Sequence, residues 1–151
     1  LLPDVHKFGL AGAEVGHSAV EKSLPSLNEL CVGRLNLVYC EFSQRNIKIN
    51  LERLERILIS SSQQCGRNSI MEIAVFNSID ELLTYKQNIA LIDFGGVNLN
   101  EYEGDKILFV GPEGGFSQKE REKILTKFAL NSPYILRSNS AIIGVASRFL
   151  I

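Results

Sequence analysis

The sequence predicts an α/β domain with a mostly parallel β-sheet covered by helices on both faces. Its short apolar runs lack the strict alternation of a half-exposed strand, and segments with helical periodicity separate them. Strands of this kind, linked by helices, are typical of parallel sheets buried on both sides. With 151 residues and 45% hydrophobic composition, the chain can enclose one core. We therefore predict one domain over residues 1–151.

The first forty residues predict a strand, a helix and a second strand. Residues 5–16 fit an initial strand and turn, and residues 18–30 fit a helix interrupted by Pro25, because proline removes a helical N–H donor. The apolar run 35–40 predicts a buried strand.

The next segment predicts a helix bounded by Asn50 as its N-cap and Gly66 as its stop signal. Arg53 and Arg56 fall on one face of this helix. The opposite face carries three leucines: Leu51, Leu54 and Leu58.

Two strands and a short helix follow. Residues 70–76 predict a strand, and Ser78 with Glu81 has the spacing of a capping box that opens a short helix. Residues 89–96 predict a strand that ends in a Gly-Gly turn, and the acidic stretch 96–105 predicts a surface loop.

The last third predicts a strand at 106–111 and then a helix that begins at a second capping box, Ser117 with Glu120, and runs to Ala129. Residues 134–137 predict a brief strand, and the nearly all-apolar run 140–151 predicts a final, buried helix.

Composition narrows the classes of function. The net charge of −1 provides no global attraction for nucleic acid. Three cysteines without a CxxC pair, together with only two histidines, predict a metal-free protein of the reducing cytoplasm. No apolar run is long enough to span a membrane, and no signal pattern opens the chain. The chain begins without Met, which predicts a fragment of a longer protein.

Three predicted strand ends carry small or polar residues: "DFGG" at 93–96, "GPEGGFS" at 111–117 and "RSNSA" at 137–141. Ligands of open parallel sheets bind beyond the carboxyl ends of the strands. The glycine loop lacks the lysine of a phosphate-binding loop and the spacing of a dinucleotide fingerprint. Glu113 in this loop would repel a phosphate, whereas a positively charged ligand such as S-adenosylmethionine would suit it. The alternative is that the glycines serve a tight turn and Glu113 faces solvent.

Two motifs, "LFVGPEGGFSQKE" and "YILRSNSAIIGVAS", resemble the paired C-terminal motifs of the bacterial small-subunit ribosomal RNA uridine N3-methyltransferases, which belong to the SPOUT class. "SSSQQCGR" is similar to the family's Glu-Gln-Ser-Gly-Arg segment, and "NELCV" to its Glu-Leu-Gly-Val. The resemblance covers residues 24–151. The chain departs from the family in Asn139 and Ser140, which replace Glu-Thr, and in Cys31, which replaces a glycine and is interpreted as tolerated packing.

The resemblance implies a SPOUT fold with a C-terminal trefoil knot, a homodimer, and an N-terminal RNA-binding β-barrel outside this chain. It implies methyl transfer from S-adenosylmethionine to N3 of a uridine in 16S ribosomal RNA, naked or within the small ribosomal subunit. By the resemblance and by loop position, nine residues bind the cofactor: Phe94, Gly95, Val110, Gly111, Gly114, Gly115, Ile135, Leu136 and Ala141.

Two residues are the catalytic candidates. The resemblance points to Arg67 as the cation that holds the uracil carbonyl or a flanking phosphate; its alternative is a surface or capping arginine. Glu113 is the candidate for the base that removes the N3 proton or orients the ligand, and its alternative is a helix-dipole contact.

Four arginines are candidates for RNA binding, because basic grooves hold single-stranded RNA: Arg45, Arg53, Arg56 and Arg137. For the cluster around residues 34–67, the alternative is a solvated helix face. Arg137 could instead pair with Glu113.

Two other functions compete with the RNA methyltransferase. The chain could be a catalytically inactive S-adenosylmethionine-binding or dimerisation module, given "SNSA" in place of the family motif. A nucleotide-dependent oxidoreductase is disfavoured by Glu113.

Overall fold

The computed structural model describes residues 9–13, 16–42, 48–104, 106–112 and 114–148. Within them, six strands and five α-helices alternate along the chain. The strands are β1 Gly9–Ala13, β2 Arg34–Val38, β3 Glu72–Phe76, β4 Ile89–Asn98, β5 Ile107–Val110 and β6 Lys127–Ala129. The helices are α1 Gly16–Glu29, α2 Leu51–Cys65, α3 Ile79–Tyr85, α4 Gln118–Lys123 and α5 Ser138–Ser147.

The strands form a six-stranded sheet in the order β3-β2-β1-β5-β4-β6, and every neighbouring pair is parallel. In the middle of the sheet, Leu10 of β1 pairs with Leu35 of β2 on one side and Leu108 of β5 on the other. Because all described strands run in one direction, their carboxyl ends meet at one edge of the sheet. The predicted α/β class with a parallel sheet is confirmed.

The described helices lie on both faces of the sheet, as predicted. Strand β5 shows this division most clearly: all four residues are buried, with Leu108 and Val110 in one core and Ile107 and Phe109 in the other. Helices α1, α2 and α5 contribute to the first core, and α3 contributes to the second. Alternate side chains of a strand point to opposite faces, so one strand serves two cores.

Helix α2 follows its sequence signals closely. The Asn50 side chain accepts a hydrogen bond from the Arg53 N–H, and Gly66 ends the helix in a left-handed conformation with φ of 78°. Leu54 and Leu58 are buried as predicted, whereas Leu51 in the first turn is 41% exposed.

Two expectations for the first two-thirds of the chain are wrong. Pro25 does not interrupt α1, because Leu24 and Leu27 on either side are fully buried and keep the helix continuous against α2. Stretch 96–105 is not simply a surface loop, since Leu99 in a 3-10 turn and the following Tyr102 are both buried.

The predicted Gly-Gly turn is also absent. Strand β4 continues through the two glycines to Asn98, and its pairing with β6 shifts register between Ile92 and Val97. A Cβ atom on Gly96 would lie 2.7 Å from the backbone carbonyl carbon of Lys127. Glycine therefore permits close approach of two strands here, not a reversal of the chain.

The capping box at Ser117 and Glu120 is confirmed, with both reciprocal hydrogen bonds present. The helix, however, ends at Lys123 and not at Ala129, because Ile124 turns into the second core and residues 127–129 join the sheet edge as β6. At Ser78, the hydroxyl accepts from the Glu81 N–H, but the Glu81 carboxylate accepts from a neighbouring residue, the Asn77 N–H.

Residues 134–137 form no strand but an irregular, exposed segment, so this prediction is wrong as well. Helix α5 begins at Ser138, two residues before the predicted start, and buries Ala141, Ile142, Val145 and Ala146. The end of the predicted helix, residues 149–151, lies outside the described residues.

A candidate cofactor cleft at the carboxyl edge of the sheet

A cleft of about 200 Å³ opens at the carboxyl end of β5, where its pairing with β4 ends at Ile92 and Val110. Its walls come from three chain segments that converge as the sequence predicted: the middle of β4, the glycine loop after β5, and the segment that leads into α5. The lining residues are Ile92, Asp93, Phe94, Val110, Gly111, Pro112, Gly115, Phe116, Ala129, Leu130, Ser132, Tyr134, Ile135, Leu136, Ser138 and Ala141.

Seven of the nine residues expected to bind the cofactor lie in this lining. They are Phe94, Val110, Gly111, Gly115, Ile135, Leu136 and Ala141. Gly95 and Gly114 are next to lining residues in the chain but do not line the cleft themselves. Gly114 faces Phe42, whose Cβ atom would be 3.1 Å from a Cβ added to the glycine.

Side-chain hydrogen bonds fasten the three walls to each other. The buried Ser138 hydroxyl donates to the Gly111 carbonyl at 2.9 Å, which ties the start of α5 to the glycine loop. The Arg121 guanidinium of α4 donates from Nε to the Asp93 carboxylate at 2.7 Å, which ties the helix after the glycine loop to the end of β4. The cleft is thus held by contacts between residues far apart in sequence.

Asp93 and Arg121 dominate the electrostatics of the cleft. The Asp93 side chain is only 9% exposed, and Oδ1 also accepts a hydrogen bond from the Phe94 N–H at 2.9 Å. The hydrogen bond to Asp93 raises the pKa of the Arg121 guanidinium above its usual value, so the arginine stays charged. Asp93 is the only residue with a formal charge in the lining described above, and Arg121 offsets it.

The composition of the lining indicates the kind of ligand that fits. Apolar side chains such as Val110, Phe116 and Leu136 supply most of the wall, and the glycines expose backbone groups. No lysine or arginine is among the described residues that line the cleft, so these residues offer a phosphate group no cationic side chain. An aromatic base carried by a molecule without phosphate, such as S-adenosylmethionine, fits this set of residues.

Arg67 lies elsewhere. It precedes β3 and therefore sits at the amino edge of the sheet, opposite the cleft. Its Nη1 donates to Asn28 Oδ1 at 2.8 Å, the Asn28 carbonyl at 2.9 Å and the Val32 carbonyl at 3.0 Å. Burial lowers the pKa of the Arg67 guanidinium from its usual value, although an arginine remains charged. In its own chain, Arg67 fastens the end of α2 to the turn between α1 and β2.

The other predicted site residues are dispersed. Arg53 and Arg56 line a groove of about 410 Å³ beside α2. Arg53 is paired with Glu21 through Nε at 2.6 Å, whereas Arg56 is exposed and makes no hydrogen bond to the described residues. Arg137 is likewise exposed, and its side chain bonds to no described residue. The predicted residues Glu113 and Arg45 lie outside the described part of the chain.

Sequence reasoning missed two lining residues, Asp93 and Ser138, and the arginine that contacts one of them, Arg121. Asp93 belongs to the motif "DFGG" and Ser138 to the motif "RSNSA", so their positions in these motifs could have predicted a place in the site. Arg121 looked like an ordinary charged helix residue, and only the contact to a carboxylate 28 residues away distinguishes it.

No helix among the described residues has the length and hydropathy needed to cross a membrane. No group of three or more His, Cys, Asp or Glu side chains in the described ranges could hold a metal ion. Whether the protein uses a metal stays a matter of prediction.

A parallel α/β sheet with a largely apolar cleft at its carboxyl edge defines a domain of the class that binds ligands beyond the ends of parallel strands. A sequence model of the RNA methyltransferase domain family matches residues 8–150, and the chain belongs to this family. Ribosomal RNA small subunit methyltransferase E of Helicobacter pylori is 43% identical over 136 residues, which are 85% of this chain and 59% of that protein. The chain thus spans somewhat more than half the length of this relative.

Solved structures agree with this family. A Legionella pneumophila methyltransferase in complex with S-adenosylmethionine is 25% identical, with a TM-score of 0.80 over 93% of this chain and 64% of the other. A small subunit methyltransferase E from Neisseria gonorrhoeae, 21% identical, has a TM-score of 0.83 over 94% of this chain and 64% of the other. The second likeness supports the fold alone.

Proposed function

We propose that the cleft binds S-adenosylmethionine and that the chain is the methyltransferase part of an enzyme that methylates N3 of a uridine in 16S ribosomal RNA. The observation that carries the proposal is the convergence of three chain segments on a largely apolar cleft without basic residues in its described lining. The Helicobacter pylori relative, named for ribosomal RNA methylation, supports the substrate class. The uridine and its N3 atom rest on the motif resemblance.

The residues of the cleft would bind and orient the cofactor. Backbone groups of Gly111 and Gly115 can approach an adenine closely, and Val110, Ile135 and Leu136 offer apolar contact to its faces. When bound, S-adenosylmethionine supplies an activated methyl group, so positioning contributes much of the rate. Neutral uracil is a weak nucleophile, and Glu113 is the residue that we propose as the base for the N3 proton.

Arg67 remains our candidate for the cation on the RNA side, with one added condition. Because Arg67 lies at the edge of the sheet opposite its own cleft, this role requires a homodimer in which Arg67 of one subunit faces the cleft of the other. We propose this arrangement together with the SPOUT placement and the C-terminal trefoil knot that the resemblance implies. We further propose that the enzyme is cytoplasmic and metal-free. Four arginines would bind the RNA: Arg45, Arg53, Arg56 and Arg137.

The first test is calorimetric titration of the chain with S-adenosylmethionine, with NADH and ATP as controls. We expect saturable binding of S-adenosylmethionine alone. Leu136→Ser removes an apolar contact from the cleft and should weaken binding by about tenfold, or about 1.4 kcal/mol. The matched control is Leu125→Ser, since Leu125 is 85% exposed and outside the cleft. Equal affinity of the two variants would contradict the placement of the site.

A second measurement separates the enzyme from an inactive cofactor-binding module. The chain is incubated with 16S ribosomal RNA or small subunits and methyl-labelled S-adenosylmethionine, and the nucleosides are resolved by mass spectrometry. Label in N3-methyluridine supports the enzyme. Cofactor binding without any transfer to either substrate would favour the module, for which the Asn139-Ser140 departure is the sequence argument.

A further inference from the structure

We infer that Asp93 and Arg121 form a positioning pair that sets the distance between β4 and the glycine loop and thereby the affinity of the cleft for the cofactor. This inference rests on the proposed function, because it assigns the pair to the S-adenosylmethionine cleft. Neither residue carries a sequence motif for this role.

The pair joins two walls of the cleft. Asp93 ends the buried part of β4 and lines the cleft, whereas Arg121 belongs to α4, which follows the glycine loop. Arg121 donates from Nε to Oδ2 at 2.7 Å and from Nη2 to Oδ1 at 3.4 Å. A two-point contact of this geometry fixes direction as well as distance.

The guanidinium also lies beside the glycine loop itself. A Cβ atom added to Gly115 would be 3.9 Å from Arg121 Nη2, and Gly115 has a φ of 76°, which side chains rarely adopt. The loop therefore turns at Gly115 without a side chain, next to the arginine. Arg121 thus contacts Asp93 of β4 and also lies beside Gly115 of the glycine loop.

Hydrogen bonds anchor the first turn of α4, which carries Arg121, to the rest of the domain. Glu120, next to Arg121 and 6% exposed, accepts hydrogen bonds from the Ser117 N–H at 2.8 Å and the Glu41 N–H at 3.1 Å. The helix is therefore anchored to the loop before it and to the end of β2. Arg121 holds Asp93 from a fixed position.

Breaking the pair would disturb the part of β4 that lines the cleft, at Asp93 and Phe94. The Asp93 carboxylate is 9% exposed and receives its hydrogen bonds from Arg121 and the Phe94 N–H. A carboxylate without its cation at this depth must turn towards water, and Phe94 must move with it. The wall at Asp93 and Phe94 is then no longer pre-formed. Cofactor binding has to restore it, and the free energy that this takes lowers the affinity.

The test is a double-mutant cycle on S-adenosylmethionine affinity by calorimetry, with Arg121→Gln, Asp93→Asn and the double variant. We expect each single variant to bind about tenfold more weakly and the double variant to lose no more than either alone, because both changes remove one contact. Arg121→Lys keeps the charge and should recover at least part of the loss. Glu122→Gln, an exposed neighbour on α4, is the control and should match the wild type.

The outcomes are distinguishable. Wild-type affinity within twofold in Arg121→Gln, or losses that multiply in the double variant, would overturn the positioning pair. Thermal unfolding without ligand shows whether each variant is folded, and a lower midpoint with unchanged cofactor affinity would assign the pair to stability alone and also overturn the inference. Failure of the wild-type chain to bind S-adenosylmethionine would refute the proposed function, not the pair in particular.

Discussion

Arg67→Ala should destabilise the protein strongly, whatever the role of Arg67 in catalysis. The substitution removes the donor for three oxygens, two on Asn28 and one on Val32, at distances of 2.8 to 3.0 Å. Asn28 is fully buried, and its amide nitrogen already donates to the hydroxyl oxygens of Ser61 and Ser62 at 3.2 and 3.0 Å. The loss leaves Asn28 Oδ1 and the Val32 carbonyl without this donor, while the Asn28 carbonyl keeps a hydrogen bond from the Cys31 N–H at 3.3 Å.

The magnitude follows from these contacts. Hydrogen bonds to a charged group contribute about 1.5–3 kcal/mol each, but the half-buried position of Arg67 lets water replace part of the loss. We expect a decrease of about 3 kcal/mol in the free energy of unfolding. For a chain of this size, about 2–4 °C of melting temperature corresponds to 1 kcal/mol, so the midpoint should fall by about 6–12 °C.

Urea unfolding followed by circular dichroism measures this effect, with Arg56→Ala as the control. Arg56 lies on α2, the helix that ends just before Arg67, but it is exposed, and Arg56→Ala should change the free energy of unfolding by less than about 0.5 kcal/mol. A change equally small in Arg67→Ala would refute the reasoning. At temperatures below its unfolding transition, Arg67→Ala should still bind S-adenosylmethionine with an affinity within a few-fold of the wild type, whereas methylation should be lost. Loss of cofactor binding there would instead assign Arg67 to the fold or the pocket.

Two further substitutions test backbone features. Gly96→Ala should cost about 1–3 kcal/mol in unfolding free energy, because its Cβ would lie 2.7 Å from the Lys127 backbone carbon and force β4 from β6; an unchanged urea midpoint would contradict this packing. Cys31→Gly should stabilise by about 0.5–1 kcal/mol, since Cys31 holds a φ of 65°. Cys31→Ala is the control and should not raise the free energy of unfolding. An equal increase in both variants would attribute the effect to loss of the thiol and not to the backbone.

Cys31 also corrects one interpretation. The family resemblance places a glycine at this position, and the cysteine was interpreted as tolerated packing. The structure shows that the cysteine is exposed and in the left-handed region of backbone conformation. The position therefore favours glycine for its backbone freedom, not for its small volume.

Elements fixed by local signals were predicted well from the sequence. Helix α2 has an N-cap at Asn50, an apolar face and a glycine stop, and the structure places its ends where these signals stand. The carboxyl-edge site could also be predicted, because the topology of parallel sheets brings strand ends together.

The errors arose where distant contacts outweigh local preference. Ile124 ends α4 because it belongs to the second core, and no pattern near Ile124 reveals that core. The continuation of β4 depends on the backbone of β6, about thirty residues further along the chain. The roles of Arg67 and Arg121 depend on partners 39 and 28 residues away. Such pairs leave no periodic trace in a single sequence.

The origin of the cleft walls has a consequence for biosynthesis. One wall ends near Phe94, the next at Phe116, and the last includes Ser138 and Ala141 of α5. A nascent chain that has left the ribosome only as far as Phe116 carries two walls of the cleft and lacks the third. The cofactor therefore cannot guide the early stages of folding, and the site is completed only when α5 has emerged and packed.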